Sequence, residues 1–199
     1  MKEIRNLTNA EFEEFRNIYV STFPLENAKH LDTYINHNID MLRNDSRYHL
    51  YAALEDSTMI GISLLYIFEY SKMALLDYMA VISNFQRRGI GRMLFEFTNN
   101  ELNHFIPDNI GMLLEVPKEN VSDPDERQRR KNRIQFYSRL GVKMLKGVNY
   151  LLPLQIGGDL EEMYLMIKPS KDMAWISKRR IADFIDSVYT DVSYHYVLV

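Results

Sequence analysis

The sequence predicts a mixed α/β (α+β) fold, in which helices flank a central sheet and a C-terminal helical extension follows. Stretches with helical spacing of apolar residues alternate with short apolar runs, as expected when helices and strands are interspersed. An apolar run over residues 75–82 leads through a glycine-containing turn into an amphipathic helix. The length of 199 residues suits one domain with an appendage. We therefore expect a domain over residues 1–168 and an extension over 169–199 that packs on it.

Composition excludes several kinds of protein. The chain has no cysteine, which rules out disulfides, thiolate metal sites and a cysteine nucleophile. Its net charge of −3 gives no support for binding to nucleic acid or to anionic membranes. The N-terminus is too charged for a signal peptide, and no apolar run approaches the roughly 20 residues of a membrane span. We expect a soluble, cytoplasmic protein.

The N-terminal half predicts a strand, two helices and three further strands. Residues 2–7 suit the first strand, and Thr8 with Glu11 forms a capping box that begins a helix. Pro24 ends this helix, and a second one runs from about Ala28 to Arg43. Three strands are then predicted at residues 48–54, 59–68 and 75–82, with hairpin turns at 55–57 and 70–72.

The C-terminal half alternates helices and strands. A helix begins near Gly89 and ends near Phe105, and a strand covers residues 112–116. Asp123 as N-cap and Pro124 at the first position begin the next helix, which ends at Gly141. The predicted apolar face of the first of these helices carries Ile90, Met93, Leu94 and Phe97. Residues 142–145 and 148–152 suit two strands or one strand with a break, a turn is predicted at 157–159, and the last strand covers 162–168. The tail is predicted to form a helix with Trp175, Ile176, Phe184, Ile185, Val188 and Tyr189, followed by a β-prone end at 194–199.

The turn between residues 82 and 90 has the chemistry of an anion site. It reads QRRGIG from Gln86 to Gly91, and a helix follows. The first backbone N–H groups of a helix are unpaired and attract anions, and glycines without Cβ let a phosphate approach the backbone. Arginines add positive charge. The string is not G-x-x-x-x-G-K-S/T, and Leu94 stands where a G-x-G-x-x-G motif needs its last glycine.

The stretch resembles the pyrophosphate-binding motif of the GNAT acetyltransferases, Q/R-x-x-G-x-G/A. In that family the motif follows a strand whose end resembles the YMAV of residues 78–81, and the order of elements also matches over about residues 1–168. The chain is similar to uncharacterised bacterial members with LEVE and RRIxFYxRxGF motifs. The resemblance implies a GNAT-like mixed sheet, in which the predicted strand at 112–116 splays away from the predicted strand at 75–82.

The resemblance also implies acetyl-CoA as co-substrate and no metal. The pyrophosphate would bind the backbone of the loop, and the pantetheine arm would pair with the strand before it. A backbone N–H there, such as that of Ala80, would polarise the thioester carbonyl. The residues implied for the cofactor are Met79, Ala80, Val81, Gln86, Arg87, Arg88, Gly89, Ile90, Gly91, Arg92, Arg130, Arg133 and Tyr137.

Tyr137 is the residue that the resemblance implies as acid for the leaving thiolate. Members of the family have a tyrosine four residues before the glycine that closes this helix, and Tyr137 and Gly141 match. A core tyrosine is the alternative interpretation. The family often has asparagine seven residues before this tyrosine and alanine four before, where this chain has Arg130 and Arg133. These arginines could instead reach the phosphates.

The base that accepts the proton of the amine is predicted to be Glu115 or Asp77. Glu115 lies among apolar residues in the predicted strand 112–116, a setting that raises the pKa of a carboxylate. Asp77 lies in the strand that leads to the loop. Either carboxylate could instead hold a water or pair with an arginine.

The function predicted is direct transfer of acetyl from acetyl-CoA to a primary amine of a small molecule or a peptide. A second copy of the chain is a further expected partner. The alternative is a regulatory module that binds CoA without catalysis. The basic run at residues 127–133 raises a third hypothesis, RNA or DNA binding. The acidic net charge makes a solvated or phosphate-facing surface the preferred interpretation.

Overall fold

The computed structural model describes residues 1–4, 7–22, 31–153, 160–170, 175–189 and 197–198. The mixed α/β fold is confirmed, and the order of elements agrees with the sequence. No helix in these ranges is long and apolar enough to cross a bilayer. The elements are β1 (Lys2–Ile4), α1 (Asn9–Thr22), α2 (Leu31–Asn44), β2 (Tyr48–Glu55), β3 (Thr58–Phe68), β4 (Met73–Val81), α3 (Ile90–Phe105), β5 (Gly111–Pro117), α4 (Pro124–Arg139), β6 (Lys143–Met144), β7 (Tyr150–Pro153), β8 (Leu160–Pro169), α5 (Lys178–Tyr189) and β9 (Val197–Leu198).

The chain divides into two compact units. The first unit comprises Met1–Glu69 and Leu76–Pro107, and the second comprises Tyr70–Leu75 and Asp108–Val199. In the first unit, β1 pairs antiparallel with β2, and β2 pairs antiparallel with β3. Helices α1 and α2 contact β3 and β2 respectively, and α3 contacts both strands. The pairing and the helix contacts therefore build a sheet with helices packed on it.

Side chains along β2 alternate between two helical layers. Tyr51 meets Phe97 of α3, and its cross-strand partner Ser63 accepts a hydrogen bond from Thr98 of the same helix. Tyr48, three residues away, hydrogen-bonds to Asn38 of α2 instead. Because successive side chains of a strand point to opposite faces, α3 covers one face of this sheet and α2 covers the other.

The capping box at the start of α1 is confirmed. Glu11 N–H donates to Thr8 Oγ1 at 3.2 Å, and Thr8 N–H donates to Glu11 Oε2 at 3.0 Å. These two bonds satisfy donors that a helix start leaves unpaired. Phe15, Ile18 and Tyr19 are buried. The predicted end at Pro24 and the start of the second helix at Ala28 lie outside the described residues.

The predicted apolar face of α3 is partly wrong. Met93 is 57% exposed, whereas Phe95 and Thr98 are fully buried beside Leu94 and Leu102. The polar Thr98 can be buried because its hydroxyl donates to Ser63 Oγ at 2.9 Å, and the carbonyl oxygen of Leu94 lies at the same distance from Thr98 Oγ1. Apolar spacing alone misses a buried polar residue such as Thr98, so the predicted face lies too far toward Met93.

The second unit is built on β5, which pairs antiparallel with β8. Strand β8 also pairs with β6 and β7. The cap of α4 is confirmed, because the Asp123 side chain accepts the N–H of Glu126 at 2.6 Å. The helix ends as expected, with Gly141 in a left-handed conformation at φ 79°. The predicted turn at residues 157–159 lies outside the described residues.

The tail returns to the second unit but begins its helix later than predicted. Helix α5 spans Lys178–Tyr189, and Ile181, Phe184, Ile185 and Val188 are buried. Trp175 and Ile176 precede the helix, so their predicted place in it is wrong, and Trp175 is 78% exposed. Strand β9 pairs with β7, which agrees with the β-propensity of the C-terminal end. Residues 190–196 and 199 lie outside the described residues.

Candidate active site

The turn between β4 and α3 has an unusual backbone. A short 3-10 helix (Ser83–Phe85) follows β4, and Gln86 is extended. Arg87 then has φ 62° and Gly89 has φ 82°, so two residues close together adopt the left-handed region. Left-handed residues alternating with others turn successive N–H groups toward one concave side, which is the arrangement of an anion-binding nest.

The amides at the start of α3 carry no cap. Gly89 is the N-cap residue, and among the residues that the structure describes no side chain caps the first turn. The N–H groups of Ile90, Gly91 and Arg92 belong to the turn in which a helix has no internal acceptors for its N–H groups. No heavy atom lies within 4 Å of the position that a Cβ on Gly89 would take. The loop therefore offers both the donors and the space that an anion needs.

The arginines around the loop differ in what they contact. The guanidinium of Arg88 lies over the ring of Phe85 at 4.9 Å from its centroid. Arg92 pairs with Glu96 one turn along the helix, and both side chains are exposed. Arg87, Arg88 and Arg92 are all exposed, so their charges face solvent at the mouth of the loop. Gln86 donates from Nε2 to the carbonyl of Val81 at 2.8 Å, which ties the loop to the end of β4.

The end of β4 is packed closely against β3. A Cβ on Gly61 would lie 2.9 Å from the carbonyl oxygen of Ala80, a distance that real Cβ atoms do not show. Ile82 N–H donates to the carbonyl of Ile60 at 3.0 Å. Met79 and Ala80 are half-buried, whereas Val81 is buried. Glycine at position 61 thus allows the strand that precedes the loop to be held rigidly on its β3 side.

Asp77 lies in β4, two residues before Met79. Its carboxylate oxygen Oδ2 forms a very short hydrogen bond with the hydroxyl of Tyr48. Asp77 is exposed as a residue, while Oδ2 lies against the buried hydroxyl of Tyr48. Desolvation raises the pKa of Asp77 above its usual value, and the hydrogen bond from Tyr48 and the charge of His37 lower the pKa by less.

Tyr48 connects Asp77 to the two helices of the first unit. Its hydroxyl is 2.9 Å from Asn38 Oδ1, and Asn38 Nδ2 donates to the Tyr19 hydroxyl at 2.5 Å. Tyr48, Asn38 and Tyr19 are all buried. Tyr19 also stacks on Tyr78, the neighbour of Asp77, with ring centroids 4.1 Å apart. We refer to Asp77, Tyr48, Asn38 and Tyr19 as the Asp77 network.

Glu115 is engaged by two phenols of the second unit. Tyr150 donates to Oε1 at 2.5 Å, and Tyr189 of α5 donates to Oε1 and Oε2 at 2.7 and 2.8 Å. Burial, followed by the charge of Glu115, strongly raises the pKa of Tyr150, so this phenol stays protonated and keeps donating. The carboxylate predicted as a base thus anchors the C-terminal helix.

Tyr137 lies in α4 and is buried, with 8% of its surface exposed. Burial raises the pKa of its phenol, and the charge of Arg133 opposes that rise. Its ring contacts Phe136 edge-on at 5.2 Å between centroids. Arg133 is exposed. The phenol is therefore fully protonated near neutral pH and has a cationic neighbour in its own helix.

The phosphate contact expected of Arg130 finds no support in this geometry. Its guanidinium is buried, donates to Glu126 and Glu161 at 2.8 and 3.0 Å, and also donates to the carbonyl of Lys118. Arg129 pairs with Glu126 as well. The basic run at residues 127–133 is thus partly neutralised within the chain. This local pairing weakens the hypothesis of nucleic-acid binding, which needs free cations.

A groove of about 530 Å³ lies in the first unit away from these groups. None of the predicted site residues lines it. Asp40 and Arg43 of α2 stand at this groove together with apolar side chains of both helices. The lining residues are Leu7, Asn9, Phe12, Asn36, Ile39, Asp40 and Arg43.

The structure adds residues that the sequence did not single out. Tyr48 contacts Asp77 directly, and Asn38 is connected to Asp77 through Tyr48. Tyr150 contacts Glu115. A carboxylate inside an apolar strand signals that a partner must exist, because buried charge is costly. The identity of that partner depends on which strands and helices become neighbours, which local sequence does not encode.

Comparison with known proteins gives a family and a fold. Residues 46–143, which include β4 and the loop, match the family model described as an acetyltransferase (GNAT) domain. No curated protein is significantly similar to the chain.

Solved structures of low sequence identity share the fold. A GNAT-family protein from Bacteroides thetaiotaomicron has a TM-score of 0.66 and 19% identity, over 96% of this chain and 98% of that one. The ribosomal-protein alanine N-acetyltransferase from Escherichia coli has a TM-score of 0.58 and 19% identity, over 88% and 99%. An aminoglycoside 6'-N-acetyltransferase in complex with coenzyme A has a TM-score of 0.63 and 15% identity, over 88% and 100%.

The contacts of Glu115 predict a loss of stability when its charge is removed. We expect Glu115→Gln to lower the free energy of unfolding by about 2 kcal/mol, since hydrogen bonds to a charged group are worth more than neutral ones. Tyr189→Phe should lower it by a similar amount. The double variant should lose less than the sum, because both changes remove the same contact. Urea denaturation measures all three values.

Glu162→Gln is the matched control. Glu162 also lies in the second unit, but it is exposed and pairs with Lys118 at the surface. Its neutralisation should cost less than about 1 kcal/mol. Additive effects of Glu115→Gln and Tyr189→Phe would show that Glu115 does not hold the C-terminal helix.

Proposed function

Because the chain belongs to the GNAT family, we propose that it is an acetyl-CoA-dependent N-acetyltransferase that transfers acetyl directly to a primary amine. The observation that carries this proposal is the loop between β4 and α3. Left-handed residues at positions 87 and 89, uncapped first-turn amides and open space at Gly89 form a cradle that suits a pyrophosphate. The family model covers this segment.

The loop and the end of β4 would bind different parts of the co-substrate. The backbone of residues 87–92 would bind the pyrophosphate, and the exposed guanidiniums of Arg87, Arg88 and Arg92 would add charge at its mouth. Met79, Ala80 and Val81 would pair through their backbone with the pantetheine arm. The close packing at Gly61 keeps this strand fixed, which would preorganise the polarising N–H. Acetyl-CoA supplies an acetyl thioester.

We assign the proton acceptor to Asp77 and give Glu115 a structural role. Glu115 already accepts hydrogen bonds from two phenols. In the described part of the chain, Asp77 has its one hydrogen bond on Oδ2, so Oδ1 can take an ammonium proton. The raised pKa of Asp77 brings its basicity closer to that of an amine, as a base requires.

Tyr137 would stabilise the thiolate that leaves. Attack of the neutral amine forms the C–N bond and breaks the C–S bond, so negative charge develops on sulfur. A thiol has a pKa of about 8.5, below that of a phenol. Tyr137 therefore acts chiefly as a hydrogen-bond donor to the thiolate, and its buried, protonated phenol suits this role. Because the chain has no cysteine, the acetyl group would not pass through a cysteine thioester of the enzyme.

The acceptor is a primary amine of a small molecule or of a protein. Both kinds occur among proteins that share this fold, in the aminoglycoside and the ribosomal-protein acetyltransferases. Asp77, the carboxylate proposed as the proton acceptor, is the feature of this chain that fits an ammonium group. A screen would therefore begin with aminoglycosides and with alanine-terminated peptides.

The proposed cradle predicts that Gly89→Glu abolishes acetyl-CoA binding. The new side chain would enter the space that the pyrophosphate needs and would add a negative charge beside it. Isothermal titration calorimetry should show binding by the natural protein and at least a hundredfold weaker binding by the variant. Circular dichroism should confirm that the fold is kept.

Gly147→Glu is a closely matched control for this experiment. Gly147 also has a left-handed backbone, φ 70°, and no heavy atom within 4 Å of its Cβ position. It lies in the turn before β7, so the same strain and charge are introduced away from the loop. Equal binding by Gly89→Glu and Gly147→Glu would refute the cradle.

The role of Tyr137 predicts a change in turnover without a change in binding. Tyr137→Phe should lower kcat by about 10- to 100-fold, the value of one hydrogen bond to a charged group. The affinity for acetyl-CoA should stay within about twofold. Transfer to an acceptor found in the screen and calorimetry measure the two quantities.

Tyr51→Phe controls for loss of a buried phenol hydroxyl elsewhere, since Tyr51 is fully buried in the first unit. It should leave kcat unchanged. If Tyr137→Phe keeps both its binding and the natural kcat, Tyr137 is a core residue. If the natural protein binds acetyl-CoA but acetylates no amine, the regulatory alternative gains support.

A further inference from the structure

The Asp77 network contains more hydrogen-bond contacts than one set of hydrogens can satisfy. The hydroxyl of Tyr48 lies within hydrogen-bonding distance of Asp77 Oδ2 and of Asn38 Oδ1. A phenol has one hydrogen, and both an ionised carboxylate and an amide oxygen can only accept. One of the two contacts must therefore receive its hydrogen from another group.

Two arrangements satisfy every contact. In the first, Asp77 is protonated and donates to the Tyr48 oxygen, Tyr48 donates to Asn38 Oδ1, and Asn38 Nδ2 donates to Tyr19. This arrangement has the amide orientation of the structure. In the second, Asp77 is ionised and accepts from Tyr48. The Asn38 amide is then rotated by half a turn, donates to the Tyr48 oxygen, and accepts from Tyr19.

The arrangement of hydrogens thus follows the charge on Asp77. We propose that Tyr48 and Asn38 are positioning residues that control when Asp77 takes up and releases its proton. This inference rests on the proposed function, in which Asp77 accepts the proton of the amine. When Oδ1 of Asp77 takes an ammonium proton, the carboxyl group turns to present its O–H to Tyr48, and the Tyr48 hydrogen turns to Asn38. The Asn38 amide and the Tyr19 hydroxyl turn with them, and no proton leaves the network.

Burial makes this control effective. Tyr48 and Asn38 are 3% and 4% exposed, so water does not compete for their hydrogen bonds. Each member comes from a different element: Asp77 from β4, Tyr48 from β2, Asn38 from α2 and Tyr19 from α1. The proton affinity of Asp77 therefore depends on how α1 and α2 are placed on the sheet.

Few other titratable groups act on this network. His37 of α2 lowers the pKa of Asp77, and Tyr19 and Tyr66 act on Tyr48. Measurements in a His37→Gln background remove this charge, so that Tyr48 and Asn38 are the polar groups that are varied.

The two positions predict opposite shifts. Tyr48→Phe removes the donor that stabilises the ionised carboxylate, so the pKa of Asp77 should rise by about one pH unit. Asn38→Leu leaves the Tyr48 hydrogen of the protonated arrangement without its acceptor, whereas in the ionised arrangement it removes only a donor to the Tyr48 oxygen. An unpaired buried donor costs more than an oxygen that lacks one donor, so the pKa of Asp77 should fall. A ¹³C NMR titration of the Asp77 carboxyl carbon, assigned by its disappearance in Asp77→Asn, measures both shifts without a substrate.

Tyr66→Phe is the matched control. Tyr66 is the cross-strand partner of Tyr48, and their rings meet edge-on at 5.6 Å. Its hydroxyl, however, donates to Asp45 and accepts from Arg47. Tyr66→Phe should leave the Asp77 titration unchanged. A shift of equal size in Tyr66→Phe and Tyr48→Phe would overturn the proposal.

The pH profile of kcat/KM provides the second readout. With an acceptor amine from the screen, the acid limb should move to higher pH in Tyr48→Phe and to lower pH in Asn38→Leu. On that limb, Tyr48→Phe should be about tenfold slower than the natural protein, and the difference should vanish on the plateau. A uniform loss at every pH would show a merely structural role and would overturn the proposal.

The two readouts separate this inference from the proposed function. Opposite NMR shifts support the network even if kcat/KM shows no acid limb, in which case Asp77 is not the base. Unchanged NMR titrations in both variants refute the network, whatever the activity. If Tyr48→Phe fails to fold, Asn38→Leu still tests the proposal through the direction of its own shift.

Discussion

The left-handed backbone at Arg87 and Gly89 is the constraint on which the candidate site depends. It turns the chain from the end of β4 into α3 and leaves the first amides of that helix without a capping side chain. A residue with a polar side chain at the N-cap would satisfy those amides internally and compete with a ligand. The chain has glycine there instead, which leaves both the donors and the space for an anion.

Two carboxylates of similar sequence context have different surroundings. Glu115 and Asp77 each lie in a largely apolar strand. Glu115 accepts two phenol hydrogens, one of them from the C-terminal helix, and so it joins α5 to β5. In the described part of the chain, Asp77 has one hydrogen bond and keeps its other oxygen available, and desolvation raises its pKa. The number of donors around each carboxylate, rather than its sequence context, separates a structural anchor from a candidate base.

Local signals predicted the elements well, whereas partners from distant elements could not be predicted. The Thr8–Glu11 box and the Asp123 cap involve residues three apart, so the sequence alone specifies them. Thr98 is buried because Ser63 of β3 lies opposite it. The guanidinium of Arg130 in α4 is paired because Glu161 of β8 lies beside it. Those pairings arise only when strands and helices assemble. The Asp77 network likewise joins four elements, and its members other than Asp77 carry no sequence motif.

Amide hydrogen exchange can test whether the loop between β4 and α3 binds the co-substrate. In the proposed complex, the backbone N–H groups of residues 87–92 bind the pyrophosphate of coenzyme A. Coenzyme A should therefore slow exchange at these amides, and pantetheine, which lacks the pyrophosphate, should not. Exchange that neither compound slows, or that both slow equally, would contradict the account, because the loop would then not be the pyrophosphate site.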